Sequence, residues 1–115
     1  MAYNELLSLR IQQQLQEQQM NFVEKKMFGG IAFMIADKMC IGVMKELIML
    51  RVMDEYYDGL LRENHVRPMT FTGKRLKNFL YIESEAFATE KQLARWVVLA
   101  IDFGKRGVVK SKKKK

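Results

Sequence analysis

The sequence predicts an α+β fold of two layers, an antiparallel sheet with its helices packed on one face. Three observations predict it. Short apolar segments between Glu24 and Val52 alternate with period two and are separated by hairpin-like turns, the mark of an antiparallel meander. Segments on either side of the meander carry apolar residues every three to four positions, as amphipathic helices do. With 115 residues, 49% of them hydrophobic, the chain is one domain that can remove roughly two-thirds of its unfolded surface from water. One sheet face is then left for the helices to cover.

In order along the chain, residues 3 to 19 read as a helix, because Tyr3, Leu7, Ile11 and Leu15 repeat every four residues with Leu6 beside them. The glutamines from Gln12 to Gln19 fall mostly off this stripe, on a solvated face. In the meander, Ile31, Phe33 and Ile35 alternate with Ala32 and Met34. A turn at Asp37-Lys38 leads into Met39, Ile41 and Val43, and a turn at Lys45-Glu46 leads into Leu47 to Val52. Gly29 and Gly30, which lack Cβ atoms, permit a bulge, a sharp bend or close approach of another backbone.

Asp54 is read as the N-cap of a short helix carrying Tyr57, Leu60 and Leu61, weakened by Gly59 by about 1 kcal/mol relative to alanine. Asn64 to Gly73 is read as a loop, because Pro68 pushes Arg67 out of helical geometry and Gly73 marks a turn. Leu76 to Ile82 supplies a later strand that joins the sheet. Thr89 and Gln92 form a T-x-x-Q capping box ahead of Leu93, Trp96, Val97, Ala100, Ile101 and Phe103, the clearest helix start in the chain, with Gly104 as its stop. Residues 1–104 are therefore the domain, and residues 105–115, too poor in apolar surface to offset the entropy of ordering, are expected to be a disordered basic tail.

The formal charge of +7 is distributed unevenly. Through Gly104 the basic and acidic residues balance, so the whole excess lies in Lys105, Arg106, Lys110, Lys112, Lys113, Lys114 and Lys115. Those cations would release counterions from nucleic acid, giving non-specific binding at roughly micromolar to a hundred micromolar that weakens steeply with salt, and would be drawn to anionic lipid as well. The longest mainly apolar stretch free of charge, Met27 to Ala36, is far short of the ~20 residues of a membrane-spanning helix, and the N-terminal segment has no apolar block of signal-peptide type, so no membrane span and a cytoplasmic location are expected.

Catalysis needs convergent groups, and this chain is poor in them. His65 is the only histidine and Cys40 the only cysteine; nothing in their spacing makes them a dyad, and Cys40, between Met39 and Ile41 in a strand, reads as a small buried hydrophobe. The acidic pairs Asp54-Glu55 and Glu83 with Glu85 lie at or near helix starts, where they stabilise the helix dipole. Gly29-Gly30 has no third glycine and is not a phosphate loop. No catalytic, cofactor-binding or metal-ligating set is expected, and no cofactor. Met34, Met39, Met44, Met49 and Met53 recur through the sheet; those in mid-strand are expected to fill the core. The outward exception is Met69, beside Arg67, Pro68, Phe71, Thr72 and Gly73, where a forked cation, a rigid backbone and apolar side chains coexist as they do in partner-binding loops.

Lys26, Met27, Phe28, Gly29 and Gly30, followed by Lys38, Met39 and Gly42, then Arg67, Pro68, Met69, Phe71, Thr72 and Gly73, and later Trp96 and Val97, resemble the N-terminal domain of the TfoX/Sxy proteins, bacterial regulators of natural competence. The resemblance runs from Phe22 to Phe103 and identifies a stand-alone domain of that type. It implies a two-layer α/β structure similar to secretion chaperones. It also implies a non-enzymatic regulatory or adaptor role, in which contact with a protein of the transcription machinery or its regulators promotes expression of DNA-uptake genes. The alternative is a nucleic-acid-associated protein that binds DNA through its lysine tail.

Overall fold

A computed structural model describes residues 3–107 apart from residues 28 and 72. Six strands form one open antiparallel sheet in the order β1-β2-β3-β4-β6-β5: β1 (Val23–Met27), β2 (Gly30–Ile35), β3 (Lys38–Met44), β4 (Leu47–Arg51), β5 (Val66–Phe71) and β6 (Lys74–Ile82). The helices are α1 (Glu5–Glu17), α2 (Asp54–Leu61) and α3 (Glu90–Arg106), with a single 3-10 turn, η1 (Ser84–Ala86), before α3. β2 to β4 are the three strand runs expected of the meander, β1 is a further strand ahead of them, and the α+β class is as the sequence predicts. Ala36 and Asp37 both have positive φ, as a tight hairpin turn requires.

Both uses of the glycine pair are realised. Gly29, at φ +75°, makes the turn between β1 and β2, while Gly30 lies so close to β3 that an added Cβ would stand 2.1 Å from the carbonyl oxygen of Val43. A bulge in β3 shifts the register so that Phe33 pairs with Ile41 and Met34 with Met39, leaving Cys40 as the extra residue. Cys40 therefore joins Ile41 on the helix-covered side.

The main core lies between sheet and helices. Leu7, Ile11 and Leu15 of α1, Tyr57 and Leu60 of α2, and Leu93, Trp96, Val97 and Ala100 of α3 pack on the inward residues of the strands, among them Phe33, Ile41, Ile48, Leu50, Leu80 and Ile82. The capping box forms as expected: Thr89 accepts from the Gln92 backbone N–H at 3.1 Å, and the Thr89 N–H donates to Gln92 Oε1 at 3.0 Å. Arg10 of α1 reaches the N-terminal end of α3, with Nε 2.7 Å from Glu90 Oε2 and a terminal N–H donated to the Phe87 carbonyl at 2.8 Å.

Five local expectations are corrected. Leu6 is 73% exposed, because the buried stripe of α1 runs through Leu7, Ile11, Gln14 and Leu15, and Asn4 is its N-cap. Met53, not Asp54, is the N-cap of α2; Asp54 is its first residue and accepts from the Asn78 side-chain amide. The later strand starts at Lys74 rather than Leu76. Val66 to Phe71, read as loop, is edge strand β5, paired to β6 with a register shift between Pro68 and Thr70. Proline is compatible with an edge, where its missing N–H breaks no ladder on the open side.

Gly104 does not stop the last helix, which runs on to Arg106. Its role is close packing: a Cβ there would lie 2.7 Å from Ile35 Cγ2 and 3.4 Å from Cys40 Sγ. The ammonium of Lys38 donates to the Gly104 carbonyl at 2.9 Å, a cation placed where the helix dipole favours one.

Candidate interaction surface

The second face of the sheet carries its own apolar cluster. Ala32, Met39, Met49 and Met69 are buried there, with Met34, Met44, Leu76, Phe79 and Tyr81 packed around them and partly exposed. No helical residue belongs to this cluster among the described residues. Strand registry assembles it: Met39 lies opposite Met34, Gly42 opposite Ala32 and Met49, and Tyr81 opposite both Met49 and Arg67. Gly42 leaves room for Met49, whose Cε would be 3.0 Å from a Cβ at that position. The Tyr81 hydroxyl lies 3.7 Å from Met44 Sδ.

The mid-strand methionines thus fill a core, but a second and shallower one, on the side the helices leave open. Met69 of the expected docking segment belongs to it. Arg67 lies in the same edge strand and pairs with Glu83, Nε to Oε2 at 3.0 Å. Pro68 pairs with Leu80, and Gly73, at φ +80°, turns the chain into β6; Phe71 ends β5, and Thr72 lies outside the described residues. Of the family motif, Lys26 and Met27 end β1, Gly29 and Gly30 make the turn and the close strand contact, and Phe28 lies outside the described residues.

At one end of this face the Arg51 guanidinium is held between two rings, 4.8 Å from the centroid of Phe79 and 4.6 Å from that of Phe103. Burial pulls its pKa below the ordinary arginine value, and its Nε has no hydrogen-bond partner among the described residues. Phe79 and Arg51, together with Leu76 and Tyr81, were not singled out by sequence. Their signal was the alternation of Phe79 and Tyr81 with the core residues Leu80 and Ile82.

The two groups a nucleophilic dyad would need, Cys40 and His65, have different surroundings. Cys40 is fully buried, its thiol directed to the Lys38 carbonyl at 3.4 Å, and burial pushes its pKa up to about 11. His65 lies instead beside Glu83 and Glu85. An open cleft of about 700 Å³ between α2 and α3 has mostly apolar walls including Tyr56, Leu60, Ala94 and Val98. Two cations assigned to the tail are part of the fold: Lys105 and Arg106 occupy the last turn of α3, and Arg106 bridges Asp102 at 2.6 Å and Glu55 at 3.1 Å. Lys110 and Lys112 to Lys115 lie outside the described residues. No helix is long and apolar enough to cross a membrane among the described residues.

The TfoX N-terminal domain family matches residues 9–104, most of the chain, with the sheet and α2 entirely inside the match and α3 inside it as far as Gly104. The chain belongs to the TfoX N-terminal domain family. The match begins within α1, so the family domain includes most of a helix that lies outside the motif residues. No curated protein and no solved structure matches the chain significantly.

Proposed function

We propose that this chain is a non-enzymatic regulatory or adaptor module that docks a protein partner on the outer sheet face, in the service of competence gene expression. The observation that carries the reading is the methionine cluster on the side without helices. Methionine side chains are unbranched and polarizable and adapt to differing partner surfaces, and Tyr81 and Arg67 supply the aromatic and guanidinium groups enriched at binding hot spots. Membership in the TfoX N-terminal family supports the regulatory part of the reading. Capture from a lysate of the native cell tests it. Met34→Gln with Met44→Gln on the partly exposed rim should reduce partner recovery about tenfold or more, with the melting temperature lowered by only a few degrees. Undiminished recovery by that variant would remove the outer face as the docking site.

A second reading draws on the charge imbalance alone, DNA association through the C-terminal cations. Because Arg106 is already paired within the fold, this reading rests chiefly on Lys110 and Lys112 to Lys115. Truncation after Gly107 should abolish a salt-sensitive shift of duplex DNA. Equal shifts with and without those residues would reject the tail as the cause.

A further inference from the structure

Away from the methionine face, tertiary folding gathers three ligating side chains that are scattered in sequence. His65 immediately precedes β5, Glu83 immediately follows β6, and Glu85 lies in η1. The Glu83 backbone N–H donates to the His65 carbonyl at 2.8 Å, continuing the β5–β6 pairing and fixing the two residues side by side. His65 Nδ1 stands 3.3 Å from Glu83 Oε1 and 3.8 Å from Glu85 Oε1. One ligating atom from each residue lies within 4.8 Å of the other two.

The 3.3 Å between His65 and Glu83 matches one edge of a coordination polyhedron, and the 3.8 Å to Glu85 is longer, so Glu85 must draw in. Bonds of about 2.1 Å to a tetrahedral ion place neighbouring ligand atoms about 3.4 Å apart. Glu83 is also oriented from behind, since Arg67 Nε holds its Oε2 at 3.0 Å and leaves Oε1 toward the imidazole, the arrangement by which an outer group aims a ligating carboxylate. Glu85, whose side chain is 65% exposed, accepts from the Ser84 hydroxyl at 3.3 Å and has room to adjust.

We propose that His65, Glu83 and Glu85 bind one divalent transition-metal ion of the Zn²⁺ type. The ligands are His65 Nδ1 and one oxygen from each carboxylate, with a fourth position open to water. An imidazole nitrogen with two carboxylate oxygens suits such an ion, whereas Mg²⁺ prefers an octahedral all-oxygen shell. The site borders a cleft of about 480 Å³ lined in part by Asn64, Gln92 and Trp96, so the open position is accessible to a further ligand. A bound ion would tie the start of edge strand β5 to the β6–η1 corner, beside the proposed docking face, with which the site shares Arg67.

Titration of the untagged full chain tests the site, using Zn²⁺ by calorimetry and Co²⁺ by visible absorption. The wild type should bind one ion, and Co²⁺ should give tetrahedral bands without thiolate charge transfer, because Cys40 is buried elsewhere. His65→Asn removes the imidazole while suiting a backbone at φ +68°, and should weaken Zn²⁺ binding about tenfold or more with the metal-free melting temperature unchanged. Glu83→Gln with Glu85→Gln should do the same. Equal Zn²⁺ affinity in wild type and His65→Asn, or no binding by the wild type at 1 mM (of order a purely adventitious affinity), would overturn the assignment. Because His65 is the only histidine, no other imidazole can substitute in the reading of that comparison.

Discussion

Gly30→Ala is expected to lower the stability of the fold by about 3 kcal/mol, at the upper end of what overpacking costs. The new methyl carbon would lie 2.1 Å from the Val43 oxygen, 3.1 Å from the Val43 carbonyl carbon and 3.2 Å from Met44 Cα. All three are backbone atoms of β3, so no side chain can swing aside. Relief requires β2 and β3 to separate at Ile31↔Val43, next to the point where the helix-facing core begins. Gly29→Ala is the control, because a Cβ there meets nothing within 4 Å and only the φ of +75° opposes it, a cost of about 1 kcal/mol. Urea unfolding of the two variants should order them accordingly. Near-equal midpoints would mean that the strand contact at Gly30 is softer than its geometry. Against a total of about 5–15 kcal/mol for a small domain, the larger loss is a substantial fraction of the whole.

The parts of the fold that could be read in advance are those in which one local signal has one physical cause. Period-two alternation located the meander, since burial of one strand face allows no other register. Thr89 and Gln92 located the start of α3, since both hydrogen bonds of the capping box are local. Where two causes share a residue type, the reading failed. Gly104 has the same identity as a helix stop, but close passage of α3 over Ile35 and Cys40 is what calls for glycine there. Pro68 suggested a loop, yet a strand with one unpaired side accommodates proline without losing a ladder bond. Asp54 looked like a cap because capping and first-turn carboxylates are favoured by neighbouring positions for related electrostatic reasons.

The functional surfaces were less legible because they are made across strands. Met34, Met39, Met44 and Met49, spaced through the meander, gave no sign that they share one sheet face while Met53 packs on the other; that depends on the bulge at Cys40 and on the β4–β6 pairing. His65 and Glu83 are eighteen positions apart, and only the β5–β6 hairpin puts them together. Reading Glu83 and Glu85 as helix-dipole partners was sound for one pair of residues taken alone. It had no means of including a histidine from the far end of the hairpin.

Trp96→Ala should be the most damaging single truncation in the core, costing about 3–5 kcal/mol. The indole is 2% exposed at the centre of the face that α3 presents to the sheet, and its N–H donates to the Ala86 carbonyl at 2.8 Å. On its other side the Arg95 guanidinium stacks 4.6 Å from the ring centroid while its terminal nitrogens hold the Glu63 carboxylate of the α2–β5 connection. Truncation therefore opens a cavity and leaves a carbonyl of η1 unpaired, and it also removes the surface on which Arg95 rests. Trp96→Phe separates these contributions: most of the ring packing survives, the hydrogen bond does not, and a loss of about 1–3 kcal/mol is expected. Thermal and urea denaturation of both variants measure the difference, and a phenylalanine variant as unstable as the alanine one would show that the indole N–H, rather than ring volume, holds α3 to η1. Trp96 and Gly30 both belong to the residues that carry the family resemblance, and both act on the architecture. Variants there should lose partner binding only in proportion to lost folded protein, whereas Met34→Gln with Met44→Gln should lose it while the chain remains folded; that contrast distinguishes a scaffold residue from a contact residue in the same assay.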